Sequence, residues 1–583
     1  MGRREPAQRL RSWSLRLALG AALAAGALVI GASAASAHAQ LESTVPSQSE
    51  VLLLPPRQVV LHFGEPVEID FGSIRVFGPA GQRVDQGGTH HPGGDSHAVA
   101  IALPGGLPDG TYVVSWRVIS ADSHPVHGAF LFSVGNAAHA GRAQALSHAL
   151  AAASGGLAVG IVYGVIRFAV LGALLVLVGL GVSLLMVWRG ARRVPRIRRL
   201  VWGAWVVLVA GSVAGIAVQG VYAATLPLTH LFSLSLFDAV LRTRFGHVEL
   251  LRLALLVLTV PVLRRFVHPA DTDVAPAAWS VGAAAVLGAG LLLTPGLAGH
   301  ASTSGNPVVG ESLDFVHLAG ASVWVGGLVL LGALFVPGIP DAERPPSLRA
   351  IAATFSPYAV GGLVAVVASG TVQTLREVGS FFALFHTVYG RTLVVKIALV
   401  AGLVALGAVS RRLAVGRWTW ARPRRARVEG AAADPEQAPP RGLRRSALAE
   451  CSVVVAVLVS TALLVNDAPA RQAAAQPFSQ SFTVLGLQVN TIVDPARVGA
   501  GNQVHVYLLG RVGQPVAVPE LDAAVSLSSS GIGPISLPMT LVGPGHYRAS
   551  NVVFPLAGQW TVKVTVRTSA IDEKEVFATV PVH

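Results

Sequence analysis

Sulfur-bearing residues are scarce in this chain. Its 583 residues include one cysteine, Cys451, and three methionines. A single cysteine excludes a disulfide within the chain and a metal site built from several cysteines. Three scattered methionines exclude a thioether-rich site for Cu(I). Any metal that the chain binds must therefore be held by nitrogen and oxygen ligands, for which 18 histidines are available.

Charged residues are also scarce. They make up 13% of the sequence, against 52% hydrophobic residues, and the mean hydropathy is +0.58. A soluble surface needs more charge than this, so the composition predicts contact with a lipid bilayer. The net charge of +14 does not predict a nucleic-acid partner, because the arginines form short runs beside apolar segments, where they set membrane orientation. These runs are Arg189–Arg199, Arg264–Arg265 and Arg411–Arg445. No oligomeric state is predicted.

Residues 1–37 have the pattern of a secretory signal peptide. Five arginines between positions 3 and 16 form a basic region, and Leu17–Ile30 is an apolar stretch. Ala35-Ser36-Ala37 then supplies a cleavage site of small residues. Cleavage after Ala37 would make His38 the N-terminal residue of the mature protein. The alternative is an anchor helix that is not cleaved.

Four segments follow this leader. Residues 38–136 contain short alternating apolar runs between Gly, Pro and Asp turns, which predicts a small antiparallel β-sandwich of Greek-key or Ig-like type. Residues 137–154 are a linker of small residues, and residues 155–466 predict an eight-helix transmembrane bundle. Residues 476–583 predict a second β-sandwich. The eight spans are placed at 160–187, 200–222, 248–267, 277–297, 313–336, 352–374, 391–410 and 447–466.

The loops between the spans predict the orientation of the bundle. With the N-terminal domain outside, the loops at 188–199, 268–276, 337–351 and 411–446 fall inside, and three of them carry Arg-rich ends. This is the asymmetry that the positive-inside rule requires. An even number of spans returns the chain to the outer side. We therefore expect a multi-pass protein of the cytoplasmic membrane with both β-domains on its extracytoplasmic face.

A histidine at a mature N-terminus is a chelating group. The α-amine and the ring Nδ1 of His38 can bind one ion in a planar arrangement, which suits tetragonal Cu(II). Asp122 and His124 are two residues apart, so in extended chain both project from the same face. They could complete the site, with Asp122 either coordinating the ion or orienting another ligand. The alternative is a polar turn between two strands.

The N-terminal domain closely resembles the copper-resistance family CopC. The residues that carry the resemblance are His38-Ala39-Gln40-Leu41, then Gly110–Ile119, then Ser120-Ala121-Asp122-Ser123-His124-Pro125-Val126-His127-Gly128, then Phe132-Ser133-Val134. The resemblance implies that His38, Asp122 and His124 bind Cu(II). His127 follows the motif and is an additional candidate ligand, and the alternative is a histidine at a strand edge. The methionine-rich Cu(I) site of some members is missing, so Cu(II) alone is predicted. The histidines at 90, 91 and 97 are expected to belong to a solvated loop.

The membrane segment resembles the CopD family, which is associated with copper uptake. The motifs are Gly299-His300-Ala301, Asp314–Leu328 and Tyr389–Lys396. His300 ends the fourth predicted span and His317 begins the fifth, so both are expected near the outer mouth of a helical hairpin. Histidines at such positions mark pathways, and the alternative is interfacial anchoring. The glycines at 320, 326 and 327 are expected to allow close helix packing.

The C-terminal segment resembles the YtkA-like domains that accompany copper-handling membrane proteins. Its motif, Gly-x-Tyr followed by Gly-x-Trp-x-Val, is a packing pattern of a β-sandwich and names no ligand. We therefore assign no metal-binding role to His505 or His546 at this point.

Taken together, these features predict a transport protein rather than an enzyme. An outer domain would capture Cu(II), and the membrane domain would move copper inward. The alternative is a copper- or haem-dependent membrane oxidoreductase, because terminal-histidine chelates also occur in copper monooxygenases and histidines flank several spans. Haem usually needs axial histidines at matched depth within the bundle, whereas these are predicted at loop ends. An absorption spectrum separates the two possibilities.

Overall fold

The structure is a computed structural model, and it describes most of the two β-rich segments and of the helical segment. The predicted signal peptide and the linker at 137–154 lie outside the described residues. The described residues are 41–48, 50–71, 74–121, 123, 125–135, 157–224, 226–267, 277–299, 306–335, 348–378, 381–415, 441–466, 478–494, 496–510, 515–543, 545–569 and 571–582.

The N-terminal domain is built from nine strands. They are β1 Leu41–Val45, β2 Val51–Leu52, β3 Gln58–Phe63, β4 Val67–Glu68, β5 Ile74–Phe77, β6 Gln86–His90, β7 Ala98–Ala102, β8 Gly110–Ser120 and β9 Pro125–Val134. One sheet has the order β1-β3-β7-β6, and the other has the order β2-β9-β8-β4, with β5 also paired to β8. The alternating apolar residues of both sheets meet in one core, as the sequence pattern predicts.

Trp116 closes one part of this core. It is 7% exposed, and its ring lies edge-on to Phe63 with 5.4 Å between ring centroids. Gly128 is the residue directly opposite Trp116 in the β8–β9 ladder. A Cβ atom at Gly128 would lie 2.7 Å from Cζ2 of Trp116, so the indole occupies the space that any larger residue would need. The glycine is therefore required for this packing.

The helical segment contains ten helices among the described residues. They are α1 Leu157–Met186, α2 Pro195–Ala223, α3 Leu234–Arg242, α4 Arg244–Val267, α5 Ala278–Ala298, α6 Pro307–Phe335, α7 Leu348–Val378, α8 Phe381–His386, α9 Val388–Val415 and α10 Arg441–Asn466. Six of these, α1, α2, α5, α6, α7 and α9, are long and apolar enough to cross a membrane. Helix α4 carries Glu249 and Arg252, and the apolar part of α10 is the shorter Ala449–Val465. Six spans are thus supported, and the count of eight stays a prediction.

Glycines bring the central helices into close contact. Helices α1 and α6 cross where Gly179 meets Gly326, and a Cβ atom at Gly326 would overlap the backbone of Gly179. Helices α6 and α7 cross where a Cβ atom at Gly320 would lie 2.7 Å from the carbonyl oxygen of Gly362. Gly327 leaves room for the ring of Phe355. The predicted packing role of the glycines at 320, 326 and 327 is confirmed.

The C-terminal domain is a second two-sheet structure. Its strands are β10 Phe478–Val484, β11 Leu487–Asp494, β12 Gly499–Leu509, β13 Glu520–Leu527, β14 Ile532–Leu537, β15 Thr540–Gly543, β16 His546–Phe554, β17 Gly558–Arg567 and β18 Glu573–Val582. The sheet orders are β10-β11-β12-β16-β15 and β14-β13-β17-β18. Trp560 is fully buried at the centre of the core that the two sheets share.

Candidate functional site

A tight turn closes the β8–β9 hairpin at one end of the N-terminal domain. Ile119 pairs with Pro125, and the amide of Ser123 donates a 2.8 Å hydrogen bond to the carbonyl oxygen of Ser120. Ser123 is buried and has a φ of 73°, a left-handed conformation that is unfavourable for serine and is often found at functional sites. This turn belongs to the motif from which the metal ligands were predicted.

The predicted Cu(II) ligands themselves are not described. His38, Asp122 and His124 all lie outside the described residues, so the ligand set stays a prediction. Among the residues that are described, no group of three or more His, Cys, Asp or Glu side chains could hold a metal ion.

A buried carboxylate lies at the same end of the domain. Glu65 is 5% exposed and sits between β3 and β4, two residues before Val67, which pairs with Ser120. A carboxylate beside the Ser120–Pro125 turn could add an oxygen donor to a metal bound there. Sequence analysis missed Glu65, because a single glutamate between two short strands carries no motif.

Three other histidines of this domain have described neighbours. His127 lies in β9 opposite Arg117 and stays a candidate ligand. His91 Nδ1 is 2.8 Å from the carbonyl oxygen of Ala98, and His97 Nδ1 is 3.5 Å from the carboxylate of Asp95. These local contacts give His91 and His97 structural partners within their own loop.

The turn rests directly on the helical segment. Gln219 of α2 donates a hydrogen bond from Nε2 to the carbonyl oxygen of Ser123, with a distance of 2.8 Å. The Oε1 of Gln219 accepts a hydrogen bond from the hydroxyl of Tyr163 in α1, and Arg167 donates to that same hydroxyl at 3.2 Å. A buried polar chain thus runs from the motif turn into the first two long helices.

Two further contacts fix this junction. The amide of Arg244, at the start of α4, donates a 3.1 Å hydrogen bond to Oε1 of Glu68. Arg117 of β8 donates a 3.0 Å hydrogen bond to the carbonyl oxygen of Ala224, just after α2. Burial raises the pKa of Glu68 above the ordinary value of a glutamate. The N-terminal domain therefore meets the end of α2 and the beginning of α4.

A second polar cluster lies among the long helices. Nδ1 of His317 in α6 is 3.1 Å from the hydroxyl of Ser369 in α7. One turn away on each helix, Gln373 donates a 2.7 Å hydrogen bond to Oδ1 of Asp314. Lys396 of α9 is close enough for its charge to interact with both His317 and Asp314. Ionisable side chains inside such helices are costly and are usually functional.

The position of His317 differs from the prediction. Helix α6 begins at Pro307, six residues before the predicted start of the fifth span, so His317 lies about 15 Å along the helix. The start of α6 is on the side of the N-terminal domain, since Glu311 lies 3.8 Å from Arg244. His317 is thus inside the bundle and not at its mouth. His300 lies outside the described residues.

The sequence motifs contain three residues of this cluster, but they did not predict that the three side chains lie close together. Asp314 and His317 belong to one motif and Lys396 to another. Helix α7 supplies Ser369 and Gln373, which no motif includes. Their spacing of four residues places them on one helical face, and this was the only signal that sequence offered.

Three family models match different parts of this chain. The model of the CopC domain matches residues 41–135. The model of the copper resistance protein D-like N-terminal domain matches residues 157–307, and that of copper resistance protein D matches residues 349–464. The fold and the matches define a multi-pass membrane protein of copper handling. The chain belongs to the CopC and CopD copper-resistance family, which confirms the resemblances seen in the N-terminal domain and in the membrane segment.

Three relatives illustrate the extent of the match. Copper transport protein CutJ of Bacillus subtilis (strain 168) is 26% identical over 554 residues, which cover 93% of this chain and 95% of that protein. Copper resistance protein C of Escherichia coli is 33% identical over 123 residues, which cover 20% of this chain and 97% of the relative. The crystal structure of CopC from Methylosinus trichosporium OB3b is 32% identical and covers 17% of this chain and 93% of its own, with a TM-score of 0.16.

Proposed function

We propose that the chain captures Cu(II) outside the cell and carries copper inward across the cytoplasmic membrane. His38, Asp122 and His124 would bind the ion on the N-terminal domain. The eight predicted spans would cross the membrane, with both β-domains on the extracytoplasmic face. The boundaries at 38–136, 155–466 and 476–583 follow from the same assignment.

The hydrogen bond between Gln219 and Ser123 is the observation that carries this proposal. Ser123 stands between Asp122 and His124 in the sequence, and its carbonyl oxygen is bonded to α2 at 2.8 Å. A copper ion bound at this turn would start its path at the end of the bundle, without diffusing through solvent. The name of one relative, copper transport protein CutJ, supports the transport function, and the name of another, copper resistance protein C, supports a role in copper handling.

The residues around His317 would bind the copper ion next on this route. Imidazole, carboxylate and amide groups can exchange with one another as metal ligands, and Asp314, His317 and Gln373 supply one of each. They begin about 10 Å below the end of α6 that faces the N-terminal domain. Directionality is inferred from the resemblance to the CopD family and from a capture domain on the outer side.

The first prediction tests the capture site in the purified full-length protein. Mass spectrometry should find a mature chain that begins at His38, and this chain should bind Cu(II) with a type-2 paramagnetic resonance spectrum. One residue added before His38 removes the free amine from the chelate, and His124→Ala removes an imidazole. Each change should weaken binding by more than tenfold, which is about 1.4 kcal/mol. His97→Ala is the matched control and should bind like the parent. A mature chain that begins at Met1, or unchanged binding in both variants, would overturn the site.

A further inference from the structure

Two histidines on adjacent strands of the C-terminal domain are in direct contact. Nδ1 of His505 in β12 lies 2.9 Å from Nε2 of His546 in β16, and the ring centroids are 5.2 Å apart. The ring of Tyr507 stacks on His546, with 4.2 Å between centroids. His546 is 6% exposed and Tyr507 is 7% exposed. The two histidine rings and the ring of Tyr507 therefore form a largely enclosed cluster.

Strand alternation explains why these side chains meet. In β12 the side chains of Val504 and Val506 enter the core, so His505 and Tyr507 project from the opposite face. In β16 the core residue is Tyr547, which puts His546 on that same outer face. Tyr507 pairs directly with His546, and His505 is its diagonal neighbour, within reach of a ring.

Both imidazoles are held in the neutral form. Burial lowers the pKa of His505 to about 4, and the charge of Arg548 adds to this effect. Burial also lowers the pKa of His546 to about 3, with further contributions from His505 and Arg548. A neutral imidazole keeps one bare nitrogen lone pair, which is the form that binds metal ions. No proton has to be displaced into solvent, because each ring can carry its hydrogen on the other nitrogen.

The spacing of the two nitrogens fits a metal ion. Two ligands at right angles on an ion with bonds of about 2.0 Å lie about 2.8 Å apart. The observed 2.9 Å matches this edge of a tetragonal site, so the nitrogens need not move apart. Each ring has only to rotate until its lone pair points at the ion instead of at the other ring. Tetragonal coordination by nitrogen and oxygen ligands favours Cu(II).

We propose that His505 and His546 form a second copper site, which binds one Cu(II) ion through His505 Nδ1 and His546 Nε2. The proposal goes beyond the transport function, because it uses none of the residues assigned to capture.

The two sites are also far apart. The hydroxyl of Tyr507 donates a 2.8 Å hydrogen bond to the carbonyl oxygen of Gln48, just before β2, which pairs with β9 at Val134. Val134 lies opposite Gly110, at the start of β8, whereas the turn of the first site follows Ser120 at the other end. Along the 11 residues of β8 this distance is roughly 30 Å. Occupancy of the two sites can therefore be measured separately.

Copper titration of the full-length protein in detergent tests this site. The background variant carries His38→Ala and His124→Ala, and it is titrated with CuCl2 against a competing chelator and followed by paramagnetic resonance. We expect this variant to bind one Cu(II) with coupling to two imidazole nitrogens. His505→Phe or His546→Phe, introduced into the background, keeps the stacked ring but should weaken binding at least tenfold, about 1.4 kcal/mol.

Two companion variants separate a ligand role from a structural role. Tyr507→Phe removes the hydrogen bond to Gln48 but no proposed ligand, so binding should stay within about twofold of the background. Arg548→Gln removes the positive charge opposite His505 and should tighten binding. The proposal is overturned if the background variant binds no Cu(II), or if the two phenylalanine variants bind as tightly as the background does. The capture site is judged separately, from the difference between parent and background.

Discussion

Ser123 and Gln219 connect the two parts of the molecule at the scale of single residues. Ser123 holds a left-handed backbone conformation, and its carbonyl oxygen accepts the hydrogen bond from Gln219. The side chain of Gln219 is 3% exposed and is also bonded to Tyr163. Loss of Gln219 would leave two buried polar groups without this partner, at a cost of about 1–3 kcal/mol for each group. Gln219 is thus a positioning residue for the turn at Ser123 and not a proposed ligand.

The second prediction follows from this contact. In Gln219→Leu the ligands of the capture site are intact, so the affinity for Cu(II) should change by less than about threefold, whereas cellular copper uptake should fall by roughly tenfold. Gln559→Leu replaces an exposed glutamine of β17 and should leave both quantities unchanged. The measurements are a Cu(II) titration of the purified protein and copper content in cells at matched membrane levels. If Gln219→Leu and the parent took up equal amounts of copper, the turn at Ser123 would not be part of the transport route.

Asp494 gives the C-terminal domain a pH-dependent stability, which is the third prediction. Burial raises the pKa of Asp494 to about 6, and Arg497 opposes this shift only in part. An acid whose pKa is raised by folding stabilises the folded state below its unfolded pKa and loses that contribution as pH rises through the folded value. We therefore expect the domain to lose on the order of 1–2 kcal/mol between about pH 4 and pH 7.

Asp494→Asn should abolish that dependence. Asparagine is neutral at every pH in this range, so the variant should be more stable than the parent at pH 7 and similar to it at pH 4. Hydrogen exchange of amides in β11 and β12 within the full-length protein reports the local free energy of opening. Asp522→Asn, at an exposed position of β13, serves as the control. A parent whose exchange-derived stability is constant across this pH range would contradict the assignment.

At the scale of secondary-structure elements, close helix contacts give the fourth prediction. A Cβ atom at Gly326 would overlap the backbone of Gly179 in α1, whereas Gly203 in α2 has nothing within 4 Å of its Cβ position. Gly326→Ala should therefore destabilise the bundle by about 1–3 kcal/mol, while Gly203→Ala should be neutral or stabilise it by about 0.5–1 kcal/mol. Thermal unfolding in detergent measures both. A Gly326→Ala variant as stable as Gly203→Ala would show that α1 and α6 are not in this contact.

Sequence periodicity predicted the elements more readily than their contacts. Alternation along β17 indicated a strand because that strand buries one face, and long apolar runs indicated the helices because a lipid bilayer requires apolar surfaces. The start of α6 was missed because Pro307–Glu311 is less apolar than the rest, although proline is favourable in a first turn. The pairing of His317 with Ser369, and of His505 with His546, depends on which elements become neighbours. No local pattern contains that information.

At the scale of the whole molecule, groups of polar contacts lie where the N-terminal domain meets the helices and again among the helices. The first group is the turn at Ser123 with Gln219, Tyr163 and Arg167, and another surrounds His317. Arg252 of α4 is bonded to both Glu249 and Thr294, all three of them buried. Ionisable groups within membrane helices mark ion pathways by default. The proposed inward movement of copper would pass these groups.

Copper accumulation in living cells tests the inward movement most directly and is the fifth prediction. Cells that express the parent, His300→Ala, His317→Ala, the double variant or the control His230→Ala, at an exposed position, are compared at limiting external copper and matched membrane levels. We expect the parent and His230→Ala to raise cell copper. We expect His317→Ala and the double variant to lose most of this gain while still binding Cu(II) at the outer domain. A parent that lowers cell copper, or a His317→Ala variant that accumulates as much copper as the parent, would contradict the account.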